Sequence, residues 1–140
     1  MLTSPPQPPA IVLSIPAIGV RTVVRLGTGE AVLARGPGFY SGTGRPGCGC
    51  TIAIAGHRVT PVPGFDGHGP FRNLDRVRRG SVITLGTARY RVTGFRTVRP
   101  GDTSALAEVG HERLVLTTCT PPGSDTFRLE LFAVPIGRSP

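Results

Sequence analysis

Cys119 is the residue of this chain whose side chain is best suited to covalent chemistry. It ends the apolar run of residues 113–119 and precedes the strand-breaking segment 121–123. On the two-residue period of a strand, Cys119 lies on the face opposite Leu114 and Leu116. We expect that apolar pair to face inward, which leaves the thiol accessible as a nucleophile. The alternative is a small buried hydrophobe, which is what most free cysteines are.

His57 occupies a similar position at the end of another apolar run. It follows residues 51–55 and Gly56, whose missing side chain allows a bend or a close backbone approach. An imidazole beside a thiol can hold a thiolate or deliver a proton at neutral pH. The alternative is an ordinary histidine with a structural or surface role. His68 and His111 compete for the same task, but both are predicted to lie in surface loops.

Arg128 is a candidate for stabilising negative charge near the thiol. It follows Cys119 by nine residues and belongs to the run 127–134, in which Leu129 and Leu131 are expected to face inward. A hairpin-like connection would set the two runs side by side. A guanidinium there could donate to a developing oxyanion and stay charged at any working pH. An ordinary exposed strand arginine is the competing interpretation, since the chain has sixteen basic residues.

Short apolar or alternating segments between turn clusters indicate that strands position these side chains. Roughly eight such strands favour an all-β fold, either a closed barrel or a sandwich. Two short helices are also expected. One begins at Pro70 and buries Phe71, Leu74 and Val77; the other is capped by Asp102 or Thr103 and buries Ala105, Leu106 and Val109. The strands are predicted at residues 11–15, 20–25, 30–34, 51–55, 81–85, 88–95, 113–119 and 127–134.

The length of 140 residues predicts one domain, residues 11–140, after a proline-rich lead over residues 1–10. Five prolines within residues 1–20 argue against a regular membrane-spanning helix there. The net charge is +8 and every basic residue is arginine, but the arginines are dispersed and aromatic residues are few. This pattern disfavours a nucleic-acid binder, although a basic domain for anionic polymers stays open as an alternative.

Cys48 and Cys50 do not form a disulfide framework with Cys119. A bond between residues only two apart is expected to be strained, so we interpret this pair as structural or incidental. A second alternative to catalysis is a zinc module using Cys48, Cys50, His57 and Cys119. No carboxylate cluster suited to calcium is evident, and the sequence indicates no cofactor.

Several motifs together resemble the sortases of Gram-positive cell surfaces. IAGHR at residues 54–58 is similar to the histidine motif, LTTC at 116–119 is similar to the thiol motif, and Arg128 is similar to the arginine on the next strand. IPAIGV at 15–20, GPGFYSGT before the histidine and PFRNLDRVRRGSVITL after it occur in the same order as in that family. The AGHR and TTC-T-P patterns most resemble class E sortases of high-G+C Gram-positive bacteria.

The resemblance implies an eight-stranded β-barrel and a cysteine transpeptidase. Cys119 would cleave an LPxTG-like sorting signal between Thr and Gly and hold the acyl group as a thioester. His57 would move the protons, Arg128 would stabilise the oxyanion, and Thr118 would contribute to substrate binding. The implied acceptor is an amine, from a cell-wall precursor or a pilin lysine, so that the enzyme anchors surface proteins or assembles pili. The implied location is extracytoplasmic, at the cell surface or membrane, with any anchor outside this chain.

Overall fold

The computed structural model describes residues 10–138 of the chain. The proline-rich lead predicted at residues 1–10 lies outside the described residues, except for Ala10. Eight strands make up most of the regular structure. They are β1 (Ile11–Ile15), β2 (Val20–Leu26), β3 (Gly38–Phe39), β4 (Thr51–Ala55), β5 (Val82–Leu85), β6 (Ala88–Val98), β7 (Arg113–Thr120) and β8 (Phe127–Arg138). One short helix, α1 (Glu30–Leu33), and three 3-10 turns, Pro16–Ile18, Leu74–Arg76 and Ser104–Leu106, complete the fold.

The strands form one closed barrel in the order β1-β2-β3-β4-β7-β8-β6-β5. The barrel closes where β1 pairs with β5, Leu13 opposite Leu85, so the sheet has no free edge. Most neighbours are antiparallel, but β4 runs parallel to β7. The predicted all-β, closed eight-stranded architecture is therefore confirmed.

Alternation along the strands separates an inner core from an outer face. Leu114 and Leu116 on β7 belong to the fully buried core inside the barrel. Val115, between them, points outward and packs with Ala53 of β4 and Ala105 in a second, smaller cluster. The apolar alternation of the sequence therefore gave the correct facing of β7, because one face must be removed from water.

The strand predicted at residues 30–34 is wrong, because Glu30–Leu33 forms α1. The helix begins after Gly29, which has an extended backbone, and the Ala34 amide donates to the Glu30 carbonyl. Glu, Ala and Leu are good helix formers, and a short apolar run does not by its pattern distinguish helix from strand. The neighbour of β2 is instead the two-residue strand β3.

The helix predicted from Pro70 is only a turn followed by the 3-10 segment Leu74–Arg76. Phe71, Leu74 and Val77 are nevertheless all buried, as predicted. Their spacing of three residues matches the period of a 3-10 helix better than that of an α-helix. The periodicity therefore identified the buried side but not the type of helix.

The second predicted helix is likewise a single 3-10 turn, Ser104–Leu106. The Asp102 carboxylate accepts hydrogen bonds from the Ser104 amide at 2.9 Å and from its hydroxyl at 2.6 Å, which lowers the pKa of Asp102. Ala105 is buried as expected, but Val109 is exposed because the helical turn ends before it.

Cys48 and Cys50, which we interpreted as structural or incidental because a bond between them is expected to be strained, do form a disulfide. Their Cα atoms lie 5.1 Å apart, within the ordinary range for such bonds. Gly49 between them has φ of +68°, a conformation that glycine adopts readily and that lets the chain turn within three residues. The Glu112 carboxylate accepts hydrogen bonds from the amides of Gly47 and Gly49 and fixes this turn.

Candidate active site

Three neighbouring strands carry the predicted catalytic residues to one level of the barrel. The parallel register of β4 and β7 ends with Ala55 paired with Thr117, and His57 and Cys119 each lie two residues past that last pair. Between β7 and β8, Cys119 is the direct partner of Arg128. Adjacent strands lie about 4.8 Å apart. His57 thus follows the end of β4, while Cys119 and Arg128 lie on the next two strands of the barrel, and we call these three residues the candidate row.

The candidate row lies on the outer face of the barrel. Ala53, Val115 and Phe132 point outward into the second cluster. Val115 and Phe132 are each four residues from Cys119 and Arg128 on the same strand, and positions an even number apart on a strand share a face. Cys119 and Arg128 therefore start from the outer side of the sheet, and His57 lines the same open cleft as Cys119.

The end of β7 is tied to the segment that carries His57. The Gly56 amide donates to the Thr117 carbonyl at 3.1 Å. The Thr118 hydroxyl donates in turn to the Gly56 carbonyl at 2.8 Å, and Thr118 is only 3% exposed. The Thr118 side chain is thus engaged with the backbone next to His57, so its hydroxyl does not point into open solvent.

Phe71 supports the same segment from the other side. The Phe71 amide donates to the His57 carbonyl at 3.0 Å. Its ring packs so closely on Gly56 that a Cβ at that position would lie 2.7 Å from a ring carbon. The bare backbone at Gly56 is therefore required by packing, as the sequence suggested, and His57 is held between β7 and Phe71.

His57 and Cys119 line one open cleft of about 380 Å³. Cys119 is a free, half-buried cysteine. The cleft brings an imidazole and a thiol together, which is the pairing that nucleophilic sulfur chemistry needs. Its other lining residues are Arg58, Val59, Thr60, Gly123, Ser124 and Asp125.

The Arg128 guanidinium points to one side of that cleft. Its Nη1 donates to the carbonyls of Asp125, at 3.0 Å, and Phe127, at 3.3 Å. The residue lines a separate hollow of about 70 Å³ together with Tyr40 and Glu130. The backbone of Arg128 is therefore in register with the thiol, while its side chain rests on the connection between β7 and β8.

Arg58 is a feature that the sequence analysis did not single out. It is 4% exposed and carries a guanidinium with three partners. Nη1 donates to the Cys119 carbonyl at 3.1 Å, Nε donates to the Arg72 carbonyl at 3.2 Å, and Nη2 lies 2.9 Å from the Asp75 carboxylate. The sequence shows that Arg58 directly follows His57, but no pattern in the neighbouring residues predicts that its side chain is buried.

The competing histidines lie away from the thiol. His68 contacts the Arg72 guanidinium and lines a different hollow, and the exposed His111 makes its contact with the Glu112 carbonyl. The zinc alternative also loses its ligands, since Cys48 and Cys50 are bonded to each other. Within residues 10–138, no three metal-ligating side chains come together.

Comparison with protein families decides the assignment. The model of the sortase domain matches residues 13–136. The chain belongs to the sortase family. Sortases are cysteine transpeptidases, and this chain is an enzyme of that kind. A comparison with functionally curated protein sequences gives no significant match.

Solved sortase structures agree with the family assignment. The chain is 29% identical to a lid mutant of sortase A from Corynebacterium diphtheriae, with a TM-score of 0.82 over 95% of this chain and 73% of that one. Sortase C1 from Streptococcus agalactiae is 31% identical, with a TM-score of 0.81 over 91% and 67%. Sortase C from Streptococcus pneumoniae is 28% identical, with a TM-score of 0.82 over 94% and 71%. These are sortases of classes A and C, so class E membership stays a prediction.

Residues 10–138 contain no helix of the length and hydropathy needed to cross a membrane.

Proposed function

We propose that Cys119 is the nucleophile of this sortase, with His57 as its proton-transfer partner and Arg128 as the oxyanion-stabilising residue. The proposal is supported by the direct pairing of Cys119 with Arg128 between β7 and β8 and by the position of His57 just past the end of β4, the strand next to β7. The shared cleft of His57 and Cys119 supports the first two roles. All of this chemistry is assigned to one catalytic domain, residues 11–140.

In the proposed acylation, His57 takes the thiol proton of Cys119, and the sulfur attacks the carbonyl carbon of Thr in an LPxTG-like signal. The carbon–nitrogen bond to Gly breaks, the departing amine takes a proton from His57, and a thioester is left on Cys119. In the second half, an incoming amine attacks the thioester and gives its proton to His57. A new amide forms as the carbon–sulfur bond breaks, and the sulfur leaves as a thiolate that recovers its proton from His57, so the two halves exchange one peptide bond for another.

Arg128 would stabilise the tetrahedral oxygen by exchanging partners. Its Nη1 is now shared by two backbone carbonyls of the connection between β7 and β8. A negatively charged oxygen is a stronger acceptor than either neutral carbonyl. Turning toward the cleft when the oxyanion forms would therefore favour the transition state over the ground state.

Thr118 is proposed to act on substrate binding through the backbone. Its hydroxyl holds the Gly56 carbonyl, which precedes His57 at the cleft. Fixing that carbonyl keeps one wall of the cleft in place for an extended peptide. This is an indirect contribution, because the hydroxyl itself is buried.

The proposed partners follow from the family and from the chemistry of the thioester. The acyl donor is the sorting signal of a surface protein, and the acceptor is an amine from a cell-wall precursor or a pilin lysine. Transfer would anchor surface proteins or assemble pili at the extracytoplasmic face of a Gram-positive cell. The net charge of +8 favours attraction to an anionic envelope.

The decisive experiment is incubation with LPxTG and LAxTG peptides plus a small amine, followed by mass spectrometry. We expect an acyl adduct on Cys119, loss of the glycine-bearing fragment and formation of the amine-capped peptide. Cys119→Ala should give none of these products. An adduct on another residue, or transfer by Cys119→Ala, would contradict the assignment of the nucleophile.

Histidine variants test the proton-transfer role. His57→Ala should abolish turnover, whereas His68→Ala and His111→Ala should retain most of it, because neither side chain lines the cleft. The reverse ranking would transfer the role to a different histidine.

A further inference from the structure

Arg58 is a buried cation whose three contacts belong to three separate parts of the fold. The Cys119 carbonyl ends the segment that carries the thiol, the Arg72 carbonyl belongs to the turn after Phe71, and Asp75 lies in the 3-10 segment Leu74–Arg76. With 4% of its surface exposed, Arg58 has lost nearly all of its water. A buried guanidinium is tolerated only when its donors are paired, so these contacts fix its geometry.

The bond to the Cys119 carbonyl is the last of three ties between the ends of β4 and β7. The first is the Gly56 amide on the Thr117 carbonyl, and the second is the Thr118 hydroxyl on the Gly56 carbonyl. The regular parallel ladder stops at Ala55 and Thr117. Beyond that point the ties from Thr118 and Arg58 hold the two chain segments together, and His57 lies in this irregular part.

We propose that Arg58 is a positioning residue that sets the distance between the Cys119 sulfur and the His57 imidazole. Because Arg58 directly follows His57, its anchored side chain holds the histidine backbone, while its Nη1 holds the Cys119 carbonyl. The proposal rests on the proposed function of those two residues. Arg58 itself is not assigned a contact with substrate, since its Nε, Nη1 and Nη2 are already paired.

The planar guanidinium group explains why arginine suits position 58. The three partners lie around one flat, forked group that donates in several directions at fixed angles. A lysine keeps the positive charge and most of the stem but offers a single compact ammonium. We therefore expect Arg58→Lys to retain the fold while failing to hold all three partners at once.

The test measures kcat and KM for peptide transfer separately, under conditions where circular dichroism shows each protein folded. Arg58→Met should lower kcat roughly 10- to 100-fold, as expected for misplacement of reacting groups by about 1 Å. Arg58→Lys should recover part of that loss. KM should stay within about threefold of the wild-type value, because the peptide still meets the same cleft. Asp75→Asn keeps both backbone ties and, with Asp75 largely exposed, should change kcat by less than about threefold.

Tyr90→Phe provides a control for lost stability. It removes another buried hydrogen bond, from the Tyr90 hydroxyl to Glu112, at the end of β7 opposite Cys119. A fall in kcat for the Arg58 variants with normal kcat in Tyr90→Phe supports positioning. A wild-type kcat in folded Arg58→Lys, or an equal fall of kcat in Tyr90→Phe, would overturn the positioning role. If Arg58→Met does not fold, the kcat of Arg58→Lys alone decides between these outcomes. Absence of transfer by the wild-type protein would instead refute the proposed function.

Discussion

Gly56→Ala tests whether close packing beside His57 sets the activity. A methyl group built on Gly56 would lie 2.7 and 2.9 Å from two carbon atoms of the Phe71 ring, whereas ordinary contact begins at 3.4 Å. Gly56 does not have a positive φ, so alanine is compatible with the backbone and the cost is steric. Either the ring or the segment carrying His57 must move by about 0.7 Å, because a packed interior has no spare volume.

That displacement sets the size of the expected effects. Overpacking of a well-packed site costs typically about 1–3 kcal/mol, and Phe71 is fully buried, so relief by a simple swing of the ring is limited. We expect the free energy of unfolding to fall by roughly 2 kcal/mol. The Phe71 amide holds the His57 carbonyl, so movement of either group shifts the imidazole. For such a shift we expect kcat/KM for peptide transfer to fall by roughly 10- to 100-fold.

The assay combines urea unfolding with peptide-transfer kinetics, and it includes two further variants. Gly101→Ala is the matched control, because Gly101 has no positive φ and a Cβ there meets nothing within 4 Å; its stability should change by less than about 0.5 kcal/mol. The double variant Gly56→Ala/Phe71→Leu should lose less free energy of unfolding than the sum of the losses in the two single variants, because leucine leaves room for the alanine methyl group. Unaltered stability and kcat/KM in Gly56→Ala, or strict additivity in the double variant, would refute the reasoning.

Three further outcomes follow from described contacts. Burial and the Glu112 carboxylate raise the pKa of Tyr90. The stability contributed by its neutral form should therefore be present below about pH 10 and be lost as the pH rises toward the raised pKa. Tyr90→Phe should reduce this alkaline loss of stability, measured by urea unfolding at a series of pH values. Replacing both Cys48 and Cys50 by serine should lower the free energy of unfolding by roughly 1.5 kcal/mol, the loop-closure value for so short a loop. The rate of peptide transfer should stay within about twofold of the wild-type rate, because the disulfide lies before the start of β4, whereas His57 follows its end. Thr118→Val should cost roughly 1–3 kcal/mol for the unpaired Gly56 carbonyl and raise KM for the peptide; an unchanged KM would remove Thr118 from substrate binding.

The strand pattern predicted those features that burial dictates. One face of β7 had to enter the core, so the positions of Leu114 and Leu116 determined that Cys119 points outward. The same reasoning placed Arg128 on the outer face of β8. The pattern of residues 30–34 did not distinguish a strand from a helix, because a short apolar run can bury one side as either. In the fold, β2 pairs with β3 and not with these residues, which form α1.

The sequence pattern could not predict contacts between segments that are far apart along the chain. The burial of Arg58 depends on partners 14 and 61 residues away along the chain, and an arginine is by itself expected to be exposed. The disulfide between Cys48 and Cys50 depends on the backbone of Gly49, whose left-handed conformation is a property of the folded turn. Residue type suggested neither outcome, since each depends on where the folded chain places its neighbours.

The separation of His57 and Cys119 in sequence makes the site depend on closure of the barrel. Their strands are parallel, and parallel neighbours require a long crossover connection. Here that connection includes β5 and β6, which pair with each other and then with β1 and β8 on either side. The pairing of β4 with β7, the strands that lead to His57 and carry Cys119, is therefore stabilised by all the strands of the closed barrel, including the pairing of Leu13 with Leu85 between β1 and β5. A site assembled in this way gains rigidity from long-range pairing, and Thr118 and Arg58 extend that pairing past the last regular ladder bond to the reacting groups.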